Sequence, residues 1–209
     1  MDMPVKKIKD NRKNNLSLLI EEVSIGVSSS SFLSGVTIFF TGLLITQINS
    51  FDPSIKIPIL FLIISTFSFL YATLIYSNAS GEITRLSTKK FYKCMVIGNI
   101  IGEYPGVYLL ILAIPLVINA ITTDAFLQIS TLAVSLIGLA TYQFSCLSLM
   151  ERHFSKYHKV FLIIIALLEI TLFVAQRTNS LIFTYTSVVL ILFIFLLALS
   201  VKGEKENPD

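Results

Sequence analysis

The chain has no tryptophan, two cysteines and two histidines among 209 residues, and only 14% of its residues are charged. The scarcity of charge is the most restrictive of these. A soluble domain carries about 25% charged residues, whereas this chain is 54% apolar and its apolar residues come in long blocks rather than at amphipathic spacing. That excludes an ordinary water-soluble domain. The two cysteines, Cys94 and Cys146, are too few for a disulfide framework. Both fall near ends expected to face the cytoplasm, where thiols stay reduced, and they read as structural. The two histidines, His153 and His158, share one connector, so no span carries an axial haem ligand. Their spacing, with no cysteine beside them, is poor for a metal. No metal or cofactor site is expected. Without tryptophan, anchoring at the membrane interface falls to tyrosine. Glycine-rich phosphate loops are missing, the serine run 28–31 has no base nearby, and no catalytic residue is assigned. The hydropathy of the two halves does not superpose, which speaks against an inverted-repeat transporter.

What remains is hydrocarbon. About 20 apolar residues span a bilayer core, and six blocks of that kind are legible, at 32–48, 57–76, 94–121, 125–149, 160–176 and 181–201. The expected fold is all-α, a polytopic transmembrane helical bundle occupying residues 16–201. A basic segment, 1–15, precedes it and a short charged tail, 202–209, follows. No cleavable signal peptide is expected, because the first strongly apolar block lies behind a long polar start. From Leu16 onward, Leu19, Ile20, Val23 and Val27 share one helical face opposite Ser17, Glu21, Ser24 and Ser28. This predicts an amphipathic helix that either lies in the membrane interface or continues into the first span.

The lysines and arginines set the orientation. Fourteen sit before the first span, in the connectors after the second and fourth, and in the tail, against two, Lys56 and Arg177, on the opposite side. Basic residues are retained in the cytoplasm, so both termini are expected inside. An even number of spans is then required, and six satisfies it. The expected location is the cell membrane. The basic clusters follow the membrane-orientation pattern, and no nucleic-acid partner is expected.

Small and polar residues mark the packing seams, since helices in lipid associate through close approach and interhelical hydrogen bonds. Gly98, Gly102 and Gly106 recur every four residues in the third span, and Gln128, Thr131, Ser135, Gly138, Tyr142 and Ser145 form a coiled-coil-like row in the fourth. The first span carries Ser34, Thr37 and Thr41 beside Ser28, Ser31, Gly35 and Gly42. That hydroxyl row either packs against neighbouring helices or lines a pore in a homo-oligomer. The sixth span, nearly all Val, Leu, Ile, Phe and Ala from 188 to 199, reads as lipid-facing.

Two carboxyls, Glu103 and Glu169, fall inside spans. A charge at the bilayer centre costs at least about 2.5–3.5 kcal/mol. Each therefore takes up a proton or meets a cation, a watered cavity or polar helices. Asn99, Asn119, Gln128 and Gln143 are available to hydrogen-bond. Each carboxyl lies nine residues past an expected cytoplasmic entry, so similar depths are predicted. Glu103 stands in Gly102-Glu103-Tyr104-Pro105-Gly106, where Pro105 removes an amide donor and bends the helix.

The leading functional expectation is an oligomeric ion channel or small-solute conduit, with a cation or proton as its cargo. The alternatives are a non-enzymatic accessory or membrane-perturbing protein, and a membrane enzyme acting on a lipid. Single cysteines introduced by Lys90→Cys and Lys56→Cys, with Cys94 and Cys146 replaced by serine, test the orientation. A membrane-impermeant thiol reagent should label the first only from the cytoplasmic side and the second only from outside.

Overall fold

The computed structural model describes residues 3–84, 88–149 and 158–200, with side chains described over 17–82, 90–142 and 160–200. All regular structure among the described residues is helical. The helices are α1 (Met3–Thr46), α2 (Lys56–Thr84), α3 (Thr88–Ile101), α4 (Leu109–Ile121), α5 (Ala125–Leu149), α6 (His158–Thr178) and α7 (Ser180–Ser200). A π-helical segment, Gly102–Tyr108, joins α3 to α4 without a break. Six helical stretches are long and apolar enough to cross a membrane: Ser17–Thr46, Pro53–Glu82, Lys90–Ile121, Ala125–Tyr142, Val160–Thr178 and Ser180–Ser200. The number agrees with the six apolar blocks of the sequence. The stretch with helical periodicity from Leu16 is not a separate element, since α1 continues straight through it into the first span.

The corner between α1 and α2 is two short 3-10 turns, Ile48–Ser50 and Pro53–Ile55. Asp52 caps the second, its carboxylate accepting from the Ser54 amide at 2.8 Å, with Pro53 at the first position, where a missing N–H costs little. Its hydrogen bonds from the Ser54 backbone and hydroxyl hold the Asp52 carboxyl below its ordinary value, and the Arg177 charge acts in the same sense. Asp124 caps α5 in the same way, accepting from the Phe126 amide at 2.9 Å.

The glycine row of the third span meets α2. A Cβ on Gly98 would lie 2.7 Å from the Tyr76 ring and one on Gly106 2.8 Å from the Phe69 ring, while one on Gly102 would make ordinary contact with Ala72. Phe69, Ala72 and Tyr76 share one face of α2. The row is therefore the slot into which two large rings pack. Tyr76 is held from both sides, because a Cβ on Gly26 of α1 would also crowd its ring, at 3.1 Å. Toward the same end Val23, Ala79 and Phe91 close a small apolar cluster between α1, α2 and α3.

The first-span hydroxyl row is turned inward. Ser34, Thr37 and Thr41 are buried on the helix that packs chiefly against α2. Thr37 donates to the Leu33 and Ser34 carbonyls and Thr41 to the Thr37 carbonyl at 2.6 Å. Within one chain these hydroxyls face protein, and Gly35 and Gly42 face outward with nothing near them. The sixth span is only partly as expected. Phe183, Ser187, Leu190, Ile194 and Leu197 form a buried stripe on α7, which packs on the π-helical segment and α6. An all-apolar helix offers no polarity contrast to reveal which face is covered, so this stripe is invisible in the sequence.

Overpacking a tight seam costs about 1–3 kcal/mol. Gly98→Ala and Gly106→Ala should each lower stability by about that amount in a detergent or thermal unfolding assay. Gly35→Ala and Gly42→Ala, with open space around them, should stay within about 0.5 kcal/mol.

Candidate functional site: two buried carboxyls and a capping network

The third span contains two prolines, and each disturbs the backbone ladder differently. Pro105 lies inside the π-helical segment. A proline within a helix lacks the amide that would bond four residues back, and its ring crowds that carbonyl. The wider π turn is one way a helix accommodates such a residue, and such turns are frequent at functional sites. The segment is covered by protein, with Glu103, Tyr104, Pro105 and Gly106 all buried. Ser65 of α2 donates its hydroxyl to the Gly106 carbonyl at 2.8 Å, so part of the irregular backbone is satisfied from a neighbouring helix. Pro115 lies inside α4, and the carbonyl it deprives is that of Ile111, four residues earlier. The Ser135 hydroxyl of α5 reaches that carbonyl at 3.1 Å.

Glu103 is 7% exposed. It lies one helical turn past Asn99, whose side-chain oxygen accepts a hydrogen bond from the Tyr76 hydroxyl, and it is close enough to Tyr76 to interact with it electrostatically. Glu169 is 0% exposed. Its Oε1 accepts from the Ser135 hydroxyl at 2.6 Å, and its Oε2 is buried with no partner. Between the two carboxyls run three tyrosines. Tyr104 and Tyr108 meet edge to face at a centroid distance of 5.5 Å, and Tyr108 meets Tyr142 of α5 at 6.1 Å.

The expectation of similar depth is overturned. Ser135 ties Glu169 to the level of Ile111, eight residues beyond Glu103 in the same span. At 1.5 Å per residue the two carboxyls are offset by roughly 12 Å along the bundle. The reason is that the third span is apolar from Lys90 onward, so counting from Cys94 misplaces its entry relative to that of α6. The candidate residues thus form a column rather than a pair. The described basic side chains, Lys56, Lys90, Lys93 and Arg177, are all exposed, which leaves neither carboxyl with a buried basic partner.

Asn119 belongs to a second group, at the far end of the third span. Its amide nitrogen donates to the Phe173 carbonyl at 3.1 Å and to Gln176 Oε1 at 2.9 Å. Gln176 in turn donates to Ser54 and to the Leu116 carbonyl. Arg177 donates from Nε to Asn119 Oδ1 at 2.9 Å and from Nη2 to the carbonyls of Asn119 and Thr122. These are the carbonyls at the C-terminal end of α4, which have no partners within their own helix. The cluster therefore caps α4 and ties it to α6 and to the corner before α2. Gln128 joins by donating to the Thr122 carbonyl.

Of the residues singled out in the sequence, the structure brings Asn99 near Glu103 and assigns Asn119 to capping. Gly98, Gly102, Pro105 and Gly106 shape the slot for α2. The side chain of Gln143 lies outside the described residues. In the fourth-span row, Ser135 and Gln128 are buried, while Gly138 has nothing within contact distance. Sequence reasoning placed Ser135 in that row without its pairing to Glu169, and missed the parts played by Tyr76, Ser65 and Gln176. The available signal was Pro115, which announces a carbonyl in need of a donor, but nothing local says which helix supplies it. Comparison of the chain with protein-family models, curated proteins and solved structures returns no match.

Leaving buried polar groups unpaired costs about 1–3 kcal/mol. Asn119→Leu, close in volume, strands the Arg177 Nε and the Gln176 oxygen. It should lower stability by that amount in an unfolding assay, while leaving a Glu103- or Glu169-dependent activity in place.

Proposed function

We propose that the chain is a multi-pass cell-membrane protein with both termini in the cytoplasm, acting as a homo-oligomeric conduit for protons or small cations through its buried acids. The observation that carries this reading is the pair Glu103 and Glu169, buried in apolar spans with no basic side chain beside them. Carboxyls at that depth cost at least about 2.5–3.5 kcal/mol as charges, and such residues mark ion or proton pathways when no structural counter-ion accounts for them. The π-helical setting of Glu103 supports the same reading, because irregular backbone at membrane depth belongs where it is covered by protein or lines a cavity. Assembly is supported by the outward face of α1, where Ser31, Phe32, Gly35, Val36, Phe39 and Phe40 line a shallow groove. The inward turn of Ser34, Thr37 and Thr41 makes the chain's own interior, rather than that row, the better candidate route.

That same outward face supports a second reading, a non-enzymatic accessory or membrane-perturbing protein that works through contacts of α1. Reconstitution separates the two. The purified protein in liposomes under a proton or potassium gradient should pass ions, and Glu103→Gln should lower the rate by about tenfold or more, corresponding to about 1.4 kcal/mol. Absence of flux under every gradient and voltage, together with stable co-purification with another membrane protein, would favour the second reading.

A further inference from the structure

We infer that Glu169, Ser135 and the Ile111 carbonyl form a proton-binding site, entered from the Glu103 side of the bundle. Only the further claim that this proton is the cargo rests on the conduit reading above.

The argument is a count of hydrogens. The Ser135 hydroxyl has one proton and stands within bonding distance of two acceptors, Glu169 Oε1 at 2.6 Å and the Ile111 carbonyl at 3.1 Å. Pro115 has removed the amide that would otherwise serve that carbonyl. With Glu169 ionised, Ser135 donates to it, the Ile111 carbonyl loses its donor, and Oε2 is a bare charged oxygen in a dry site. With a proton on Oε1, the carboxyl donates to the serine oxygen and the serine donates to Ile111. Every donor is then used, and Oε2 is a neutral carbonyl oxygen, far less costly to bury than a charge. The arrangement thus has a vacancy filled by one hydrogen. Loading breaks an O–H bond on a donor water or hydroxyl and forms one on Oε1, unloading reverses it, and no electrons change hands.

The titratable groups on the packed elements are Tyr108 at the end of the π-helical segment, Tyr142 on α5 and, at the end of α6, Arg177, which is engaged in the capping of α4. Access is asymmetric. Toward Glu103, side chains bearing hydroxyl or carboxyl groups recur at Tyr108, Tyr104 and Glu103 with no gap longer than four residues, roughly 6 Å of helix. In the other direction Leu112, Leu116 and Leu172 are fully buried between Glu169 and the Asn119–Gln176 cluster, and the eight residues from Ile111 to Asn119 put roughly 12 Å of mostly apolar wall in the way. A proton therefore arrives and leaves along the tyrosines.

Infrared spectroscopy of the full chain in lipid at neutral pH reads the site directly. The wild type should show a carbonyl stretch of a protonated carboxyl that moves on transfer to D2O and is lost in Glu169→Gln. Tyr108→Phe should slow its exchange with D2O by about tenfold or more. If Glu169→Gln yields no folded protein, Ser135→Ala, which keeps the carboxyl and removes its partner, must shift the same band. A wild-type spectrum without the band, or a band unaffected by these substitutions, overturns the site, and an exchange rate unchanged in Tyr108→Phe overturns the route. Liposome flux then separates the two levels. Proton flux lost in Glu169→Gln supports the proton as cargo, and proton flux at the wild-type rate in that variant refutes it. The Glu169 band in a protein that passes no ion at all keeps the binding site and removes the conduit.

Discussion

The architecture depends on one constraint of a hydrocarbon setting, that every backbone polar group must find its partner inside the protein. The third span violates it twice by sequence, at Pro105 and Pro115, and the bundle answers twice with serine. Ser65 of α2 donates to the Gly106 carbonyl and Ser135 of α5 to the Ile111 carbonyl. These two hydroxyls tie the irregular span to its neighbours on either side. The second does more than repair. Because Glu169 competes for the same hydrogen, the backbone defect made by a proline is coupled to the state of a buried carboxyl.

Packing serves the same span. Glycine at 98, 102 and 106 removes the side chains that would hold α2 away, and the rings of Tyr76 and Phe69 occupy the space. Tyr76 is the hinge of that arrangement, with its ring between Gly26 and Gly98 and its hydroxyl on Asn99. The close approach sets the Glu103 end of the column against α2. At the far end, Asn119, Gln176 and Arg177 close off the carbonyls of α4. The irregular span is therefore clamped at both ends and carries its two acids between the clamps. This combination of rigid ends and a compliant, proline-bearing middle is the physical basis for reading the interior as the working part of the molecule.

Much of this was legible from residues alone. Six apolar blocks, the proline-bearing third span, its glycine seam and the two buried acids all follow from composition and spacing, because hydrophobic length, missing amides and missing side chains are local properties. The alignment of Glu169 with Ile111 rather than Glu103 was not legible. Relative depth depends on how far each helix extends beyond its apolar block, which is a matter of neighbours. The inward face of Ser34, Thr37 and Thr41 and the buried stripe of α7 escaped for a related reason. A helix in lipid need not put its polar side inward or its apolar side out, so periodicity does not identify the covered face.

By itself, then, the sequence determined that the chain forms helices long and apolar enough to cross a membrane, and that two of them carry acids which such a setting penalises. It determined this because a stretch of apolar residues and a carboxyl within it act through their own chemistry, whatever surrounds them. The tertiary structure alone decided which serine meets which carbonyl, that Glu169 shares its donor with a proline-orphaned backbone oxygen, and that the acids stand in a column. Those outcomes depend on a few ångströms of register between helices distant in sequence, and that register is set by the sum of many side-chain contacts across the bundle.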